Sequence, residues 1–264
     1  MLIKNQFFNI KNIDVHCKLY LPDKLSENQP WVILLHQGLG SISQWKSFPN
    51  KLFNAINLPI FLYERIGYAE TGTILNPLPE NFLQIEAYEI LPELIEKAHI
   101  KKHYLVGHSD GATISLLYAS KRPQQLIGIT AMTPHVFVEE ITKQGIQKLI
   151  NDYNRGILSF FLQKYHHEKT DTLFRRWTQF WLNEPLVSWN MFYELKNIDV
   201  PLLLIQGDND EFGSLKQLEY IEQYSLSKIE KLIINDCRHN PHLEHASIVV
   251  EAIKKAIYST IDSH

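Results

Sequence analysis

Residues 104–114 read Tyr-Leu-Val-Gly-His-Ser-Asp-Gly-Ala-Thr-Ile, and this stretch decides the fold. An apolar strand, a Gly-x-Ser-x-Gly turn over residues 107–111 and the start of an amphipathic helix follow one another without a break. A turn this sharp holds its central residue in a strained conformation, so Gly107 and Gly111 are needed where strand and helix backbones come close. Ser109 is thereby presented outward. The backbone N–H of Asp110 falls at the helix start, where it can donate to negative charge developing on a substrate oxygen.

Outward from this turn the chain alternates. Continuous apolar runs at residues 31–35, 59–63 and 104–106 have the character of strands buried on both faces of a parallel sheet, and residues 126–132, 201–205 and 231–234 read as further strands. Amphipathic helical patterns over residues 44–56, 82–98, 112–120 and 241–258 lie between or after them. Residues 3–8 and 15–21 read as an antiparallel opening hairpin. Residues 136–195 break the rhythm: they show helical spacing and no buried strand, with Trp177, Phe180, Trp181 and Trp189 clustered late. A helical insertion there would sit above the strand ends, where open α/β folds place ligands.

At 264 residues, with 45% hydrophobic and 21% charged content, the chain has the composition of one large folded domain. A formal net charge of −3 argues against nucleic acid as a general partner. The first twenty residues interrupt their apolar positions with polar ones, so no signal segment is read there, and no stretch approaches membrane-spanning length. Cys17 and Cys237 stand far apart, outside any zinc or redox spacing; reduced thiols in a cytoplasm are the simplest expectation. No phosphate loop, dinucleotide fingerprint or metal-ligand set is present, so no cofactor and no metal are expected.

With the turn at Ser109 and the segment His36-Gln-Gly-Leu-Gly-Ser41 after the third strand, the chain resembles the α/β-hydrolase family, specifically its small esterases with a helical cap. The resemblance covers essentially the whole chain. It implies an α/β-hydrolase core of residues 1–135 and 196–264, a mostly parallel sheet flanked by helices, and a cap of residues 136–195. It places a second oxyanion N–H at Gly38, with Gln37 the alternative because Gln37 stands where the family commonly has Gly. Tyr63-Glu-Arg-Ile-Gly-Tyr-Ala-Glu-Thr71 is similar to the family's Asp-Arg-x-Gly-x-Gly-x-Ser turn, from which Glu64, Ala69 and Thr71 depart. Arg65 is expected to brace loops.

A serine hydroxyl needs a base to take its proton. His239 follows the last strand in a short loop before the final helix, where the family has its base. His242 and His245 follow at three-residue spacing, but Pro241 and the lack of a carboxylate motif argue against a metal site. His36 and His108 read as loop or strand-end residues, and His166 and His167 as solvent-facing. After the penultimate strand, Asp208, Asp210 and Glu211 all qualify as the orienting acid, and the family's Gly-x-x-Asp spacing from Gly207 selects Asp210. The order Ser109, Asp210, His239 is that of α/β-hydrolases.

The function expected from the resemblance is cleavage of carboxylic esters through an acyl-enzyme. Thioester or C–C bond hydrolysis, a cofactor-free perhydrolase and a non-catalytic ligand-binding relative are the alternatives. Between residues 143 and 181, Lys143, Lys148, Arg155, Lys164, Lys169, Arg175 and Arg176 face Asp152, Glu168 and Asp171, a local charge of +4. Small capped esterases that the chain resembles act on the methyl ester of pimeloyl-acyl carrier protein, so an acidic carrier docking on this face is a specific expectation.

Overall fold

The computed structural model describes residues 1–26, 28–72, 79–182 and 189–262. Its centre is an eight-stranded sheet in the order β1-β2-β4-β3-β5-β6-β7-β8. The strands are β1 (Leu2–Ile10), β2 (Ile13–Leu21), β3 (Trp31–Leu35), β4 (Ile60–Tyr63), β5 (His103–His108), β6 (Leu126–Met132), β7 (Leu202–Gly207) and β8 (Ile229–Ile234). The opening hairpin joins antiparallel, with Cys17 opposite Tyr63 across β2 and β4, and every later pair is parallel. Of the runs that read as two-sided burial, those in β4 and β5 are buried along the whole strand, and β6 and β7 are buried as completely.

Helices α1 (Phe48–Ile56), α2 (Phe82–Ile85), α3 (Leu91–Lys97), α4 (Asp110–Ala119), α5 (Glu140–Asn154), α6 (Ile157–His166), α7 (Thr170–Leu182), α8 (Phe192–Leu195), α9 (Lys216–Tyr224), α10 (Pro241–Glu244) and α11 (Ala246–Ile261) complete the chain. One face of the sheet packs on α1 and α11 through Ile56, Val249, Ile253 and Ile257. The other packs on α2, α3, α4 and α9 through Leu83, Leu94, Leu117 and Ile221. Helices α5 to α8 are inserted between β6 and β7.

Three expected helices are broken, each for a local reason. Residues 44–56 divide into a 3-10 turn, Ile42–Trp45, and α1, because Pro49 in the first turn of α1 cannot donate to a preceding turn. Residues 82–98 widen into a π turn at Glu86–Ile90, where Leu91 N–H reaches the Glu86 carbonyl; Pro92, which lacks an N–H, follows at once. Residues 241–258 kink at His245, whose backbone is not helical. Helix α9, with buried Leu218 and Ile221 three residues apart, was not part of the sequence reading.

Candidate functional site

The loops after β3, β4, β5, β6, β7 and β8 all leave the sheet at its carboxyl edge, which is where a parallel sheet gathers side chains from distant parts of the sequence. At the end of β5, Ser109 adopts φ 54° and ψ −119° between strand and helix. Its N–H is held by the Met132 carbonyl at 2.9 Å and its carbonyl accepts from Ala112 and Thr113 N–H. A methyl group on Gly111 would stand 2.5 Å from the Leu35 carbonyl carbon and nearer still to its oxygen. One on Gly107 would stand 2.5 Å from Ala112 Cα. The two glycines are therefore what lets α4 return across β3 and β5 immediately after the turn. Asp110 is the first residue of α4, so its N–H has no intrahelical acceptor.

Asp210 and His239 meet between the loops after β7 and β8. His239 Nδ1 lies 2.9 Å from both carboxylate oxygens of Asp210, and Asp210 also accepts from Phe212 N–H at 2.8 Å and Gln206 Nε2 at 2.7 Å. Donors on both sides fix the carboxylate, and the carboxylate assigns the proton of the neutral imidazole to Nδ1, leaving Nε2 as an acceptor. Burial acts to lower the His239 pKa, but the Asp210 charge and hydrogen bond prevail and hold it above the ordinary histidine value. Asp210, whose burial acts upward, is held below the ordinary carboxylate range chiefly by His239. Of the other two acids, Asp208 is exposed and Glu211 pairs with Arg238 at 2.7 Å. The His239 carbonyl accepts from His108 Nε2–H at 2.7 Å, which fixes the loop as well as the ring.

Gly38 and Gln37 lie in the loop after β3, and Arg65, as expected, braces it. The Gln37 carbonyl accepts from Arg65 Nη2 at 2.7 Å, from His36 Nδ1–H at 2.8 Å and from Gly40 N–H at 3.0 Å. In a trans peptide the next N–H points the opposite way, so Gly38 N–H is turned from Arg65. A Cβ on Gly38 would meet the Trp177 indole, with Cζ2 2.7 Å away. Arg65 Nη1 also donates to Asp110 Oδ2 at 3.2 Å, so one buried guanidinium links both sequence-assigned oxyanion residues.

Ser109, Asp110, Gln37, Gly38 and His239 all line a single cleft of about 270 Å³. Residues 30–194 match the family model described as alpha/beta hydrolase fold. The chain belongs to this family. A monoglyceride lipase homolog of monkeypox virus is 21% identical over 287 aligned positions, covering 98% of this chain and 96% of the relative. Among solved structures, a membrane phospholipase A described as a bacterial virulence factor superposes with a TM-score of 0.80 at 15% identity, over 98% of this chain and 86% of that one. The 2-hydroxy-6-oxo-6-phenylhexa-2,4-dienoate hydrolase of Rhodococcus sp. strain RHA1 superposes with a TM-score of 0.77 at 15% identity, over 97% and 99%. At these identities the superpositions show the fold.

In this α/β hydrolase fold chain the inserted helices roof the cleft with Ile146, Leu149, Leu158, Leu162, Trp177 and Trp181. Two cleft residues were missed in the sequence. His135 follows the end of β6, its ring centroid 5.9 Å from that of His239, with Nε2–H donating to the Phe212 carbonyl at 3.1 Å. Its place just after a buried strand was a usable signal. Lys46 also lines the cleft, and nothing in its sequence neighbourhood marks it.

Two expectations are corrected. His166 is fully buried: Nδ1 accepts from Ala69 N–H at 3.2 Å and Nε2–H donates to the Leu39 carbonyl at 3.1 Å, pinning α6 to the loops after β3 and β4. Arg176 is buried beside Tyr68 and so leaves the basic face, on which Lys148, Arg155, Lys164 and Arg175 are exposed, Arg175 paired with Asp171 at 2.8 Å. The family departures have partners too. Glu64 accepts from Glu70 and Ile42 N–H and faces His16, while Thr71 Oγ1 donates to the Glu64 carbonyl. His242 is buried between Trp45, Phe48 and His108, and burial pushes its pKa down to about 3. Among the described residues no group of three or more His, Cys, Asp or Glu is arranged to hold a metal, and no helix is long and apolar enough to cross a membrane.

Proposed function

We propose that this protein is a serine hydrolase that cleaves carboxylic esters of apolar acyl chains through an acyl-enzyme. The observation that carries the reading is the His239–Asp210 pair, Nδ1 2.9 Å from the carboxylate, which presents His239 in the wall of the cleft that also holds strained Ser109. His239 Nε2 takes the Ser109 proton as Oγ attacks the ester carbonyl, and Asp210 stabilises the imidazolium. Asp110 and Gly38 N–H receive the oxyanion. The imidazolium then protonates the departing alcohol, and water, activated by the same base, releases the acid and restores Ser109.

The apolar roof supports an acyl chain on the substrate, and we assign residues 136–195 as a cap over a core of residues 1–135 and 196–264. The viral relative's description as a monoglyceride lipase homolog points to the same bond class. Carrier-protein docking would draw on arginines of the insertion, and with Arg176 buried and Arg175 paired the cleft supports the substrate assignment better than the basic face does.

Labelling with a fluorophosphonate, followed by turnover of p-nitrophenyl esters of graded chain length, tests the reading. Labelling of wild type but not of Ser109→Ala, with kcat/KM rising from acetate to octanoate, is expected. Unlabelled wild type would overturn the serine mechanism. Faster cleavage of acyl thioesters or C–C substrates would move the assignment within the family.

A further inference from the structure

Among the charged side chains lining the cleft, Asp110 and Lys46 differ in kind. The Asp110 carboxylate is answered by Arg65 Nη1 at 3.2 Å and Trp177 Nε1 at 3.1 Å. No carboxylate of the described residues lies within 4.0 Å of Lys46 Nζ. Its partner is the Tyr165 hydroxyl on α6, and Nζ also stands 4.7 Å from the centroid of that ring. Tyr165 is itself set by an edge contact with Phe161, whose ring lines the cleft, at 5.3 Å between centroids. The exposed Lys46 ammonium is thus set by a phenol hydroxyl beside a cleft lining that is mostly apolar.

The backbone adds an independent observation. Lys46 adopts φ 54° and ψ −127°, close to the conformation of Ser109. Glycine occupies this region without strain and other residues do so at a cost, so a lysine here is held against its backbone preference. A side chain that only closed a turn would be served better by glycine.

We propose that Lys46 forms an anion subsite in the Ser109 cleft, selecting an apolar ligand that carries a carboxylate or phosphate group at one end. A point-charge ammonium with rotatable donors suits either anion. The anion can belong to the acyl part of an ester, as in a dicarboxylic half-ester, or to its alcohol part. The inference deepens the ester hydrolase reading and names a substrate class for it, but the binding it describes needs no turnover.

The test uses Trp177 and Trp181 as fluorescent reporters in full-length Ser109→Ala protein. Octyl phosphate and suberic acid monomethyl ester are titrated against uncharged octanol. At least one anionic ligand should bind about tenfold more tightly than octanol, as a charge-assisted hydrogen bond allows, with the advantage shrinking as salt rises from about 10 to about 300 mM. In Lys46→Met the anion-to-octanol ratio should fall to near one, and in Lys46→Arg it should be retained. Lys46→Gly, which relieves the backbone, serves if the methionine variant folds poorly. Equal binding of charged and uncharged ligands, or a ratio that survives loss of Lys46, overturns the subsite. In wild type, comparing p-nitrophenyl hydrogen suberate with p-nitrophenyl octanoate, and 4-carboxyphenyl octanoate with phenyl octanoate, locates the anion on the acyl or alcohol side. A charge-selective binder that cleaves none of these esters keeps the subsite and removes the hydrolase reading. A hydrolase without charge selectivity does the reverse.

Discussion

The Trp177 indole Nε1–H donates to Asp110 Oδ2 at 3.1 Å, joining inserted helix α7 to the residue that follows Ser109. The same oxygen accepts from Arg65 Nη1, and Arg65 Nη2 holds the Gln37 carbonyl at 2.7 Å. One buried ion pair therefore ties the turn at Ser109, the loop after β3 and the insertion together. Arg65→Met should destabilise the protein by about 3–5 kcal/mol, because it strands a buried carboxylate. Adding Asp110→Asn should recover part of that loss, measured by urea unfolding of both single variants and the double. Strictly additive losses would show that the pair is not coupled.

Ser109→Ala, His239→Ala and Asp210→Asn should each lower kcat by about a thousandfold or more with little change in unfolding midpoint, and combining them should cost little extra. Asp208→Asn, at an exposed position, should remain close to wild type. Esterase kinetics on the four variants check the assignment, and an inactive Asp208→Asn beside an active Asp210→Asn would transfer the acid role.

The pH profile follows from the sign of the His239 shift. As the proposed base, His239 must be neutral to accept the serine proton, and its pKa is held above the ordinary value of about 6.5. Activity should therefore rise with pH through a midpoint above that value. NMR titration of the imidazole in Ser109→Ala checks the group directly. Asp210→Asn removes the neighbouring charge and should move the midpoint down; a midpoint that stays in place would mean another group sets it.

Gly111→Ala should prevent correct folding or cost several kcal/mol, since the new methyl group is driven into the Leu35 carbonyl, a backbone atom that cannot rotate away. Circular dichroism and thermal unfolding read the effect. Native stability in this variant would mean that the approach of α4 to β3 is looser than the geometry shows.

Acid stability should fall steeply. His166 is buried, its pKa pushed down to about 4, and desolvation lowers His36, His103, His108, His135 and His242 as well. The unfolded chain binds these protons near pH 6.5 and the folded chain does not, so their contribution is complete above about pH 6.5 and is lost as pH falls toward about 4. Each such histidine adds about 1.4 kcal/mol per pH unit to the slope. His166→Gln should lower stability at neutral pH yet flatten the slope by about one proton. Urea midpoints at about pH 7.5 and about pH 5.5 distinguish the two effects, and an unchanged slope would show that His166 does not titrate on unfolding.

The sequence determined the alternation of strand and helix, the sharp turn at Ser109 and the order of the candidate triad, because each rests on local chemistry. Apolar runs mark strands buried on both faces, glycines at positions 107 and 111 mark a close approach, and loops after strands mark the carboxyl edge where Ser109, Asp210 and His239 stand. Tertiary structure decided what local pattern does not encode. His166 and Arg176 carry polar side chains on helices and read as exposed, but packing of α6 and α7 over the loops after β3 and β4 buries both. The cleft positions of His135 and Lys46 likewise follow from how the insertion closes over the sheet. Periodicity records which side of an element is apolar, whereas the partner that covers a polar side chain arrives from elsewhere in the chain and is fixed only when the elements pack.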